Sequence, residues 1–126
     1  MLTVTDTFQG FSVDDLEAAR MFYADRLGFE AVLGDMGLEI TLPGGRSVFV
    51  YAKEDHEPAT FTILNLAVPD IDRAVEELAA AGVALERYDG LPQDEKGVMR
   101  GRAAGRGPDI AWFTDPAGNV LAVIGD

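Results

Sequence analysis

Apolar residues recur along the chain with two different periods, and the switches between them mark out its elements. From Thr5 to Val13 the period is two, with Phe11 and Val13 on one side and Phe8, Gly10 and Ser12 on the other, as in a strand. The spacing then lengthens. Leu16, Ala19, Phe22, Tyr23 and Leu27 form the stripe of an amphipathic helix. Asp14 or Asp15 can cap it by accepting orphan backbone N–H bonds, and Gly28 can end it in the left-handed conformation. Strands are predicted over residues 29–34, 38–42 and 46–51, the last two joined by a Pro43-Gly44-Gly45 turn.

The order of signals then starts again. Phe61–Val68 reads as a strand and Ile71–Ala81 as a helix with Ile71, Ala74, Val75 and Leu78 inward and Gly82 as its stop. Val83–Tyr88, Ile110–Thr114 and Val120–Ile124 read as strands, the last two closed by Asp115-Pro116-Ala117-Gly118-Asn119. An offset of 55 aligns Phe11-Ser12-Val13-Asp14-Asp15-Leu16 with Leu66-Ala67-Val68-Pro69-Asp70-Ile71, and continues through Ala19/Ala74 and Tyr23/Leu78. The chain is thus an internal repeat: module one over 1–52, a linker over 53–60, and module two over 61–126. The predicted class is α+β, two tandem βαβββ modules whose curved mixed sheets bury helices on one face and enclose a cleft with the other. That cleft is the expected ligand site. Residues 89–108 hold five glycines, and a loop of that length in a small domain is a lid, a binding loop or a disordered segment.

Composition narrows the function classes. With 126 residues and 48% hydrophobic content the chain can build one domain's core. It has no apolar run long enough for a membrane span and lacks the start of a signal peptide. It has no Cys, hence no disulfides and no thiolate metal site. The expected location is cytoplasmic. A net charge of −12 argues against a nucleic-acid partner, because phosphate binding needs a basic surface. Four of the ten basic residues, Lys96, Arg100, Arg102 and Arg106, nevertheless fall in one eleven-residue stretch.

Val13-Asp14-Asp15-Leu16, Phe22-Tyr23, Leu27-Gly28-Phe29, Val68-Pro69-Asp70-Ile71 and Asp115-Pro116-Ala117-Gly118-Asn119 follow one another in an order that resembles the vicinal oxygen chelate superfamily. Glyoxalase I, extradiol dioxygenases, fosfomycin resistance proteins and bleomycin resistance proteins belong to it. The resemblance implies a divalent metal held by His and Glu on the first and last strand of each module. Carried over at family spacing, those places are Phe8, Phe49, Ile63 and Ala122. None has a side-chain lone pair, whereas a divalent metal needs several at about 2.0–2.6 Å. The expectation is therefore no metal and no cofactor.

What remains is a cleft lined by aromatics. Phe8, Phe49, Tyr51 and Trp112 can stack on a flat or cationic ligand, and Asn65 shares the face of Ile63. Arg100, with Arg102 and Lys96, can clamp a carboxylate or phosphate from the 89–108 loop; Asp89, Asp94 and Glu95 can instead face a cation. His56, the only histidine, suits either acid–base chemistry or a charged surface position among Glu54, Asp55 and Glu57. The resemblance implies a small-molecule-binding protein of the bleomycin resistance type, sequestering an antibiotic or metabolite as a homodimer. The alternatives are a glyoxalase-like lyase, isomerase or dioxygenase with relocated metal ligands, metal-free acid–base chemistry by His56 and a carboxylate, or a ligand-sensing module.

Overall fold

The computed structural model describes residues 1–125 and divides the chain into two units, residues 1–57 and 58–126. Each unit is one βαβββ module, so the fold is α+β with two mixed four-stranded sheets. In the first, β1 (Gln9–Val13) is followed by α1 (Leu16–Arg20), then β2 (Glu30–Leu33), β3 (Leu38–Leu42) and β4 (Arg46–Ala52). The strand order is β1-β4-β3-β2, with β1 parallel to β4 and the other pairs antiparallel. Parallel pairing of β1 with β4 needs a crossover, and the helix supplies it.

The helix starts where its chemistry predicts. Asp15 is its N-cap, accepting the Ala18 N–H at 3.1 Å. It does not stay α-helical. Met21–Arg26 form a π-helical segment, in which the Leu27 N–H reaches the Phe22 carbonyl at 3.0 Å, a five-residue step. Phe22 and Tyr23, adjacent in sequence, are both buried there. Tyr23 meets Phe11 at 5.9 Å and Phe22 edge-on at 5.1 Å. Gly28 then ends the helix with φ +78°. The core beneath it is Val13, Leu38, Ile40, Val48 and Val50, all fully buried.

In the second unit β5 (Thr62–Val68), α2 (Ile71–Ala80), β6 (Met99–Arg100), β7 (Asp109–Thr114) and β8 (Val120–Gly125) give the order β5-β8-β7-β6. Asp70 caps α2 by accepting the Arg73 N–H at 3.2 Å. At the other end, Gly82 N–H bonds to the Ala79 carbonyl and Val83 N–H to the Leu78 carbonyl, the hydrogen-bond pair of a glycine stop. Ile71, Ala74 and Leu78 pack with Leu64, Ala111, Phe113, Leu121 and Val123 in the core. The β7–β8 turn is closed by its own residues. Asp115 Oδ1 accepts the Ala117 and Asn119 N–H groups, and Asp115 Oδ2 accepts from Asn119 Nδ2.

Two expectations need correction here. Val83–Tyr88 is not a strand: Glu86 alone bridges to Trp112. The 89–108 segment is not one continuous loop, since Met99–Arg100 pair with Ile110 and Asp109 as β6. Among the described residues no helix is long and apolar enough to cross a membrane.

Candidate functional site

Alternation along β4 sends Val48 and Val50 into the core and leaves Ser47, Phe49 and Tyr51 on the helix-free face. The register fixes their neighbours. Phe49 lies between Gly10 of β1 and Glu39 of β3, and Tyr51 lies beside Ser12. The Phe49 and Tyr51 rings stack, 6.3 Å apart and inclined by 18°. Two glycines give Phe49 its room. A Cβ at Gly10 would sit 3.1 Å from the Phe49 carbonyl oxygen, and one at Gly37 would come within 2.8 Å of Phe49 Cζ.

On this face the first module carries a groove of about 880 Å³. Phe8 and Phe49 supply its apolar walls, Asp6, Glu39 and Arg46 its charges, and Thr7, Gln9 and Ser47 neutral hydrogen-bonding groups. Phe8 precedes β1 by one residue and is 72% exposed, so it is not core filling. Asp6 Oδ1 accepts the Thr7 N–H at 2.8 Å. Such a surface can stack a flat ring and pair with charges of either sign.

At the far end of the same module, the Ser12 hydroxyl and His56 Nδ1 form a hydrogen bond of 2.7 Å. His56 is half-buried. It is held there by a turn in which Lys53 N–H bonds to Val13 O and His56 N–H to Lys53 O. The linker acids therefore do not place it as a fully solvated histidine.

The second module gathers a different set. Asn65 and Trp112 both pair with Ala122 in register, so the three share that sheet's helix-free face. Tyr88 meets Trp112 edge-on at 5.8 Å, and the Thr114 hydroxyl donates to Glu86 at 3.3 Å. Burial, reinforced by the charge of Glu86, raises the Tyr88 phenol above its ordinary pKa. Gln93 ties the Tyr88 segment down. Its carbonyl accepts from Tyr88 N–H, and its amide donates to Glu86 O and Gly97 O.

Arg100 is not a free clamp for a ligand. Its guanidinium donates to both oxygens of Asp72, at 2.7 and 3.2 Å, and to Asp94 at 2.9 Å, with Asp109 at 3.9 Å. These bonds hold the Asp72 carboxyl below the usual range and raise Arg100. Burial pushes Asp94 up, but bonds from Val98 N–H, Arg100 and Lys96 N–H outweigh it and leave that carboxyl lowered. The basic stretch thus staples its own loop to the first turn of α2.

In the first module Phe8 and Phe49 line the groove and Tyr51 stacks on Phe49; in the second, Asn65 and Trp112 share a face and Arg100 is tied to Asp72 and Asp94. Glu39, Arg46 and Gly37 were missed. The 38–42 and 46–51 hairpin, paired about Pro43-Gly44-Gly45, already placed Glu39 opposite Phe49. The residues do not fit the divalent metal that the resemblance implies. Phe8, Phe49, Ile63 and Ala122 offer it no side-chain donor, and no group of three or more His, Asp or Glu among the described residues could hold an ion.

The family model described as the Glyoxalase/Bleomycin resistance protein/Dioxygenase superfamily matches residues 6–123. Among solved structures, TnmS3, an antibiotic binding protein from Streptomyces sp. CB03234, is 25% identical with a TM-score of 0.65, covering 98% of each chain. The fosfomycin resistance protein FosX from Listeria monocytogenes is 12% identical with a TM-score of 0.70, over 99% of this chain and 95% of its own. A glyoxalase family protein from Bacillus anthracis is 18% identical with a TM-score of 0.67, over 100% and 99%. No curated protein matches the chain.

Proposed function

Because the chain belongs to the glyoxalase/bleomycin resistance protein/dioxygenase superfamily, we propose that it binds an aromatic antibiotic or metabolite without a metal, in the groove of its first module. The observation that carries this reading is the stacked Phe49–Tyr51 pair, with Phe49 and Phe8 forming the walls of an 880 Å³ groove. Phe8 and Phe49 stand where the family's metal ligands would be, which favours holding a ligand over activating it. The likeness to TnmS3, an antibiotic binding protein, supports the same direction.

Calorimetric titration with aromatic, glycopeptide and phosphonate antibiotics tests the reading. At least one aromatic compound should bind, and Phe49→Ala should weaken it about tenfold, the scale of one lost stacking contact plus its buried area. Protein purified without chelators should contain far less than one zinc, nickel, iron or manganese per chain. A stoichiometric metal would overturn the metal-free part. The reading includes a homodimer, supported by Val32, Leu33 and Met36, which are exposed on β2 and the turn after it. Sedimentation equilibrium giving only the monomer mass would remove that part.

A second, catalytic reading has one observation behind it, the Ser12–His56 hydrogen bond, since a hydroxyl within reach of an imidazole is the geometry of an activated nucleophile. Turnover of ester or dicarbonyl substrates that is lost in His56→Gln would favour it over sequestration.

A further inference from the structure

Two charged side chains on the groove wall are not used by the fold. Glu39 lies in β3 with Phe49 as its partner on one side and Val32 on the other. Both neighbours on its face are apolar, and among the described residues no cation pairs with its carboxylate. Arg46 opens β4 at the hairpin end. The other basic side chains of this module are engaged: Arg20 with Glu17, Lys53 with Asp55, and Arg26 in contacts of its own. Arg46 is the exception, and it lines the groove. Asp6, the remaining charge there, already accepts the Thr7 N–H.

The spacing of these groups follows from the strand. Glu39 is directly across from Phe49, with about 5 Å between such Cβ atoms. Arg46 is an odd number of residues from Phe49 on the same strand, so its side chain starts on the other face and joins the groove lining at the hairpin end. An aromatic platform therefore has a carboxylate beside it, and the same groove carries a basic side chain at its hairpin end. A protein of net charge −12 repels anions at long range, so a guanidinium in its groove acts only at contact, where it can pair with a carboxylate or phosphonate in a bidentate fashion.

Resting on the reading that this groove is the ligand site, we propose that it selects amphoteric aromatic ligands: a flat ring on Phe49, a cationic group at Glu39 and an anionic group at Arg46. A ligand with only a cation leaves Arg46 unpaired and repelling it, and one with only an anion meets Glu39 and Asp6. The amphoteric ligand alone satisfies both walls.

Three xanthene dyes separate these cases: rhodamine B, a zwitterion; rhodamine 6G, a cationic rhodamine ester; and fluorescein, an anion. In fluorescence anisotropy titrations at pH 7.5, rhodamine B should bind tightest and fluorescein weakest. Solvent-exposed pairs contribute about two- to fivefold each. Glu39→Gln should weaken rhodamine B and rhodamine 6G by that factor and spare fluorescein. Arg46→Gln should weaken rhodamine B and fluorescein while tightening rhodamine 6G. Both residues are exposed, so both variants should keep the parent melting temperature.

Rhodamine 6G binding as tightly as rhodamine B, or all three dyes indifferent to both charge variants, would overturn the charge selection. If the dyes still lose affinity in Phe49→Ala, the groove reading survives that result. If no dye binds, or Phe49→Ala changes nothing, the groove reading falls with it.

Discussion

Phe49 owes its orientation to residues that have no side chain. Gly37 has φ +155°, and a Cβ there would collide with the Val50 carbonyl oxygen and press on the Phe49 ring. Gly37→Ala therefore combines backbone strain with overpacking, each worth about 1–3 kcal/mol. Its melting temperature should drop by several degrees in a thermal scan, and binding of an aromatic probe should fall even at temperatures where the variant is folded. Gly44→Ala makes a useful contrast. It has φ +88° but open space around it, so it should cost strain alone and leave binding intact. Ser12→Ala removes the partner of His56 Nδ1 and should destabilise by about 1 kcal/mol, read by urea denaturation.

At the scale of elements, what was legible in the sequence was local. Asp15, Asp70, Gly28 and Gly82 bound the helices through contacts with residues a few positions away. Asp15→Ala and Asp70→Ala should accordingly each cost about 1 kcal/mol in chemical denaturation. The illegible parts depend on distant partners. Val83–Tyr88 alternates like a strand, yet the Tyr88 N–H goes to Gln93 and the Arg87 guanidinium to the carbonyls of Asp94 and Glu95. The Gln93 side chain, further along the chain, took bonds at Tyr88 N–H and Glu86 O that a neighbouring strand would have made. Arg100 likewise reads as a free cation until α2 brings Asp72 to it across 28 residues. This staple has a pH consequence. Asp72 and Asp94 have lowered carboxyl pKa values when folded. The stability they add is thus complete above the unfolded value near 3.9 and is lost as pH falls through the folded values. Fluorescence of Trp112, the only tryptophan and in contact with Tyr88, should hold steady from pH 7 to about 5 and change below about pH 4. In Arg100→Gln the change should begin at higher pH.

For the whole molecule, fold and site were legible to different degrees because they rest on different physics. The repeat offset that pairs Asp15 with Asp70 also fixed which strand faces are apolar, and the α+β class follows from that pattern. Ligand chemistry depends on the few charges that the fold leaves unpaired, and those are identified only after every ion pair has been located. The long-range field, in contrast, is set by composition alone. A net charge of −12 attracts cations over a Debye length of about 30 Å at 0.01 M ionic strength and only about 8 Å at 0.15 M. A cationic dye such as rhodamine 6G should therefore lose association rate and affinity several-fold between these salt concentrations. Rhodamine B has no net charge for that field to act on, and its pairs with Glu39 and Arg46 are made at contact distance. Its dissociation constant should change less than about twofold over the same range, measured by stopped-flow and equilibrium anisotropy. Equal salt sensitivity for the two dyes would mean that the acidic surface, rather than the groove's two opposed charges, governs what the protein captures.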